Sequence, residues 1–147
     1  MRWKLPARLA THRGQALIET AFTMPLILLV CVSIFEFGRA YQYWQVLTNA
    51  AREGARVAVL PGATDGDVTA RVRQYLTAGQ LALPTSATIN IQAAEVSVGG
   101  ANRPASTVTV SYPFQFMVLQ PVARLVVSGS TAGAPITMAA RATMRDE

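Results

Sequence analysis

The fold class the sequence predicts is α+β. A long N-terminal helix crosses a membrane and continues outward into a small extracytoplasmic domain, built from one short helix and an antiparallel sheet of three or four strands. Three observations carry this reading. Sixteen consecutive residues, Thr20 to Phe35, hold no charge. No proline interrupts the next stretch, Phe37 to Val59, where apolar residues recur at spacings of three and four. Beyond it the apolar period changes to two, over Ala87 to Gly99 and again over Ser106 to Val118. The chain divides accordingly into a basic cytoplasmic leader (1–14), a transmembrane and extended helix (15–60) and an extracytoplasmic α+β domain (61–147).

The uncharged run covers about 24 Å as a helix, a little short of the ~30 Å hydrocarbon core of a bilayer. Taking in Ala16, Leu17 and Ile18 before it and Phe37 and Gly38 after it completes the span, provided Glu19 and Glu36 are tolerated. Glu36 stands at the far end with Arg39 three residues on, placed to pair at the interface. Phe35, Phe37, Tyr41, Tyr43 and Trp44 suit the aromatic belt on that side. Four of the 13 basic residues (Arg2, Lys4, Arg8 and Arg13) precede the run and no acid does, so the N-terminus is expected in the cytoplasm and the domain outside. From Gln15 onward charge is nearly balanced, nine basic residues against eight acidic, which speaks against a nucleic-acid surface. The bulky "FEFGRAYQYW" after the run offers no small-x-small cleavage site, so the segment is expected to stay attached.

Pro25 is expected to kink the inner part of the helix, because it removes an amide donor and crowds the carbonyl four residues back. Ile34, Phe37, Tyr41, Trp44, Thr48, Ala51, Ala55 and Ala58 mark a mostly apolar stripe on the outer part. Ala50, Ala51, Gly54 and Ala55 allow another element to come close. Arg52, Glu53 and Arg56 are candidate contacts to neighbouring subunits, as are Glu36 and Arg39. The helix should stop at Leu60-Pro61-Gly62.

Thr64 with Asp67 three residues later reads as an N-cap opening a second helix, with Val68, Val72, Tyr75 and Leu76 on its apolar face and Gly79 as its stop. "GGANRP" between the two alternating runs is expected as a turn or loop. Pro113 within the second run points to an edge, a bulge or a break. Pro121 to Gly129 fits either a helical turn or a strand, Ser128 to Pro135 reads as a surface loop, and Pro135 to Arg145 as the closing strand.

Glu19 gives the functional lead. A basic leader, Gly14, and then Glu19 as the fifth residue after it resemble the processing site of type IV prepilins, in which cleavage after the glycine would make Gln15 the new N-terminus. The resemblance implies that the Glu19 carboxylate pairs with a newly exposed α-amino group on this chain or a neighbouring subunit and so sets axial register. That is a sound use of a carboxylate that is costly in lipid when unpaired. Together with "FEFGRAYQ", "LTNAAREGARVAVLPG" and the C-terminal "PITMAARATMRDE", the pattern is similar to the TadE-like family of pilus-assembly proteins. Glu19, Pro25, Glu36-Phe37-Gly38 and Ala50 to Arg56 carry the likeness, while Gln15 departs from the small or apolar residue that often follows the glycine. The family implies a minor pilin-like (pseudopilin) component of the tight-adherence (Flp-type) pilus. It would sit in the bacterial inner membrane or in the fibre, with prepilin peptidase, other pilin or pseudopilin subunits, inner-membrane assembly proteins and the lipid bilayer as partners.

Catalysis finds little support. Cys31 is the sole cysteine and His12 the sole histidine, so the outer domain lacks both, and no cofactor or metal site is expected. Asp65 and Asp67 fit a helix start, Asp146 and Glu147 a terminus, and Glu95 a strand. An uncleaved single-span anchor with a periplasmic adaptor domain stays open as an alternative, and so does a membrane-anchored exported enzyme.

Overall fold

The computed structural model describes residues 12–126, 129 and 131–146. The cytoplasmic leader up to residue 11, residue 127, and residues 128 and 130 of the loop expected over Ser128–Pro135 lie outside the described residues. The order of elements is α1 (His12–Ala58), α2 (Asp65–Ala78), β1 (Thr88–Val98), β2 (Ala101–Phe114), α3 (Leu119–Val126) and β3 (Ile136–Arg145), with a short 3₁₀ turn at Pro84–Ser86. The three strands form one antiparallel sheet in the order β1-β2-β3, with α1 and α2 packed on a single face. The chain is thus α+β, with the long helix, the second helix and the sheet expected from the sequence.

α1 runs unbroken through Pro25 and ends just before Leu60-Pro61-Gly62, where Gly62 takes a positive φ of 80°. α2 opens with a complete capping box: the Thr64 hydroxyl accepts from the Asp67 amide, and the Asp67 carboxylate accepts from the Thr64 amide at 2.9 Å. The Thr64 hydroxyl also donates to that carboxylate at 2.6 Å, and this bond first, then the one from the Thr64 amide, holds the Asp67 carboxyl below its usual range. α2 stops where expected, but the left-handed residue that turns the chain is Gln80, at φ 55°, rather than Gly79. The Gly79 requirement is spatial, since a Cβ there would collide with Val46 of α1.

The hairpin between β1 and β2 turns on Gly99 and Gly100 alone, both with positive φ, as a two-residue primed turn requires. Asn102, Arg103 and Pro104, expected in a loop, are therefore part of β2. Pro113 lies in the central strand without a bulge or break, near the end of continuous register with β3. The pleat explains how β2 accommodates both prolines. The Pro104 carbonyl, which accepts from the Asp146 amide at 3.0 Å, points toward the β3 side just beyond that strand's last ladder residue. Pro113, of opposite parity, faces the β1 side two residues past the Thr88↔Ser111 pair where β1 begins. The missing N–H of Pro113 thus falls where no ladder partner stands, and that of Pro104 costs only the return bond to Asp146 at the end of the ladder. The stretch expected as helix or strand, Pro121 to Gly129, contributes the greater part of α3.

The inner face of β2 presents Val108, Val110, Tyr112 and Phe114 to Leu47, Ala50, Ala51 and Ala55 of α1 and to Val68, Val72 and Leu76 of α2. On the outer face Thr109, Ser111, Arg141, Thr143 and Arg145 leave the sheet polar and open, the alternation expected of a one-sided antiparallel sheet. Gly54 is a point of close approach of α1 to both α2 and the sheet. A Cβ there would lie 2.6 Å from Val72 Cγ2 and 3.2 Å from Val108 Cγ1.

The buried side of α1 follows the expected stripe at Ala51, Ala55 and Ala58 but departs from it nearer the membrane. Glu36, Ala40, Tyr43, Leu47, Ala50 and Ala51 face the domain, whereas Ile34, Phe37, Tyr41 and Trp44 of the expected stripe are exposed. The reason is steric. Where a helix lies close on a sheet and a second helix, over Ala50 to Ala55, it turns small residues inward. Of the large hydrophobic residues only Tyr43 and Leu47 share that face, and Phe37, Tyr41 and Trp44 are left on the adjacent one.

Candidate functional site

α1 passes through two environments. Before Glu36, the side chains of Leu17, Ile18, Phe22, Leu26, Ile27, Leu28, Val30, Ile34 and Phe35 are all exposed, and the most apolar window of the helix buries nothing. This is one long apolar helix of the length and composition that crosses a membrane, uncovered where a soluble core helix would be covered. Within it the hydroxyls of Thr20, Thr23 and Ser33 donate to carbonyls four residues back, at 2.8–3.0 Å, so none competes with the backbone ladder. Glu19 is exposed and has no ion-pair partner among the described residues. Gly14, Gln15 and Pro25 are likewise exposed.

At Glu36 the environment changes. Its side chain is only 6% exposed and binds three groups. Arg39 Nη2 lies at 2.9 Å, and the backbone amides of Met117 and Val118 donate to the carboxylate at 3.0–3.2 Å. Arg39 in turn donates to the Gln115 carbonyl at 2.6 Å and lies over the Phe114 ring, 4.9 Å from its centroid. One ion pair on a single helical turn thereby clamps the segment that leaves β2. Charge-assisted bonds of this kind are among the strongest available, and the alternative here would be an unpaired buried carboxylate.

Above the clamp an edge-to-face aromatic series continues it. Phe37 meets Phe116, Phe116 meets Phe114, Phe114 meets Tyr43 and Tyr43 meets Tyr112, with centroids 5.1–6.2 Å apart. The two tyrosine hydroxyls accept from the Ala82 and Leu83 amides, which fixes the connection between α2 and the sheet. Beside them lies a half-open cleft of about 240 Å³ lined by Arg39, Tyr43, Leu83, Tyr112 and Met117.

A second charged cluster joins α1 to α2. Glu53 accepts from Arg56 at 2.7 Å and from Arg71 of α2 at 2.6 Å. Hydrogen bonds first from Arg56 and then from Arg71 pull its carboxyl down to about 2. The same bond raises Arg56 above its ordinary value. Of the five residues expected at subunit contacts, Glu36, Arg39, Glu53 and Arg56 thus each hold a partner within the chain. Arg52 is exposed and has no ion pair among the described residues. The sequence pairs Glu36 with Arg39 by spacing alone. The amides of Met117 and Val118, some eighty residues away, left no local signal.

Glu95, the carboxylate relevant to an exported enzyme, accepts from the Asn102 side chain across the hairpin at 3.0 Å. Among the described residues, no three His, Cys, Asp or Glu side chains gather as a metal site.

The model of the family described as TadE-like protein matches residues 14–56, a stretch that opens at the glycine before the apolar run and closes on the Glu53–Arg56 pair. The C-terminal strand, part of the resemblance read from the sequence, lies outside the matched residues. Neither the curated proteins nor the solved structures contain a match to the chain.

Proposed function

Residues 14–56 are TadE-like, and from that premise we propose that the chain is a minor pilin-like component of tight-adherence pilus assembly. It is held in the bacterial inner membrane by α1, with its leader in the cytoplasm and its domain in the periplasm. The observation that carries this reading is the coincidence of the matched residues with both environments of one helix: the uncovered apolar stretch up to Phe35, then the packed stretch through Arg56. A free-standing enzyme has no use for such an element. A subunit that associates sideways in a bilayer while presenting a folded domain outside does.

In this mechanism prepilin peptidase cuts between Gly14 and Gln15. Glu19, four residues into the mature chain after Gln15, then meets the α-amino group of a neighbouring subunit and sets the axial register, and Pro25 bends the inner helix within the bundle. Glu36, Arg39, Glu53 and Arg56 hold the domain rigidly on α1, and Arg39, Glu53 and Arg56 present their remaining surface to other pilin or pseudopilin subunits. Arg52 is the most available contact among them.

The test is to express the full chain with its cognate prepilin peptidase and to measure the mass of its N-terminus. A product beginning at Gln15 is expected. A product still beginning at Met1 overturns the cleavage and leaves an uncleaved anchor with an adaptor domain. Glu19→Ala is expected to stop assembly, and normal assembly of that variant would remove the register role.

A further inference from the structure

The proposed span ends at a defined height on α1, and the domain's lower surface lies at the same height. Glu36 takes the amides of Met117 and Val118, so these residues sit at its level. That level is about 3 Å along the helix from Ile34, one of the last uncovered apolar residues. The side chains there are apolar and open: Met117 is 69% exposed, Phe37 59%, Ile136 45% and Val118 42%. Ile136 belongs to the group because it pairs with Phe114, the last residue of β2. The opposite end of the sheet, at the Gly99–Gly100 turn, carries Glu95, Asn102 and Arg103 instead.

Coverage also continues below Glu36. Leu29, Val32 and Ser33, one to two turns earlier on the same side of α1, are half-buried, while their neighbours Ile27, Leu28, Val30 and Ile34 are exposed. The helix that follows Val118, α3, packs against α1 and carries a single charge, the exposed Arg124.

We propose that the foot of the domain, formed by Phe37, Met117, Val118, Ile136 and α3, is seated in the outer leaflet of the same membrane that α1 crosses, with Arg124 reaching the lipid phosphates. The proposal rests on the reading of α1 as a membrane span. A helix can enter this zone because it satisfies its own backbone groups. Open apolar side chains (Phe37, Met117, Val118 and Ile136) with a single exposed cation, Arg124, beside them are the pattern of an interfacial surface, and long basic side chains reach up to headgroups from such a position. The occupant is lipid rather than protein because the surface lies at the height of, and is continuous with, the uncovered apolar stretch of α1. The Glu36–Arg39 clamp then fixes the domain's tilt on the membrane as well as its fold.

The experiment uses the full chain in phosphatidylcholine–phosphatidylglycerol vesicles with Cys31→Ser. Single cysteines replace Met117, Phe22 or Asn102 in turn and carry an environment-sensitive NBD label. The label at Met117 is expected to emit to the blue of that at Asn102, to be quenched by lipids bearing a shallow doxyl group, and to resist aqueous iodide. Quenching of Met117 by iodide, with Phe22 still quenched by doxyl lipid, overturns the seating and leaves the span intact. Protection of Met117 from both quenchers also overturns it, in favour of a protein partner. Iodide quenching at Phe22 removes the span and this inference together. Val118→Cys repeats the measurement at a second position.

Discussion

The two halves of α1 share one backbone ladder and opposite surroundings. Up to Phe35 the helix is apolar and largely uncovered, with only Leu29, Val32 and Ser33 half-buried on the side of the domain. From Glu36 it turns a stripe of alanines with Gly54, Tyr43 and Leu47 toward a sheet and a second helix, and nearly all of that stripe is buried. Apolar content alone does not separate them, because the second half also carries exposed aromatic residues. The separation lies in side-chain size and in what the polar groups do. In the first half hydroxyls fold back on their own helix. In the second, charged side chains reach other elements.

The sharpest way to break this difference is at its boundary. Glu36→Ala strips the partner from Arg39 and from two backbone amides, and is expected to cost the domain about 3 kcal/mol, the range for breaking a mostly buried pair. Glu36→Gln keeps an acceptor and should cost less. The urea midpoint of the full chain in detergent micelles reads both, and a midpoint unchanged in Glu36→Ala would show that the clamp is not what joins the halves.

The next comparison uses two glycines on the same helix. Gly54→Ala forces a Cβ against Val72 and Val108 and is expected to destabilise by about 1–3 kcal/mol. At Gly38 a Cβ would meet nothing within 4 Å. Gly38→Ala should therefore stabilise by about 0.5–1 kcal/mol through helix propensity. Thermal unfolding of the two variants distinguishes a packed position from an open one by the sign of the change.

Acid sharpens the contrast further. The folded-state pKa of Glu53 is depressed from an ordinary 4.5 to about 2 by Arg56 and Arg71. Its contribution is therefore fully present above pH 4.5 and fades as pH falls toward 2. The cluster is partly open to solvent, so the amount at stake is about 1 kcal/mol. Glu53→Gln should lower the melting temperature at pH 7 and flatten its decline between pH 4.5 and 2.5. The same decline in both proteins would mean that the pair contributes nothing to the packed half.

The smallest effect expected is at the end of α2. Gln80 holds a left-handed conformation that glycine adopts freely, so Gln80→Gly should raise stability by about 0.5 kcal/mol. A loss of stability would mean that the Gln80 side chain holds a contact worth more than its strain.

What was legible in the sequence follows the range of each interaction. The capping box of α2, the end of α1 at Leu60-Pro61-Gly62 and the closing strand depend on neighbours within a few residues, and each stands where the residues place it. The buried face of α1 was less legible. The close approach at Ala50, Ala51, Gly54 and Ala55 was legible from their size, whereas Phe37, Tyr41 and Trp44, set on the same stripe by spacing, lie exposed. Pro104 and Pro113 read as breaks because a strand pattern does not tell where neighbouring strands end. The clamp was visible only as Glu36 beside Arg39, since its remaining partners arrive from beyond β2. The family match rests on the stretch whose signals are local, residues 14–56.

The central claim is that α1 changes solvent at Glu36, from lipid to protein and periplasm. Impermeant-maleimide labelling of spheroplasts tests it directly, using the Cys31→Ser chain with a single cysteine at Ile27 or at Gln42, both exposed in the structure. The account predicts that Gln42→Cys is labelled on intact spheroplasts, and that Ile27→Cys stays unlabelled until detergent is added. Equal labelling of both positions, or labelling of Gln42→Cys only after lysis, would contradict it.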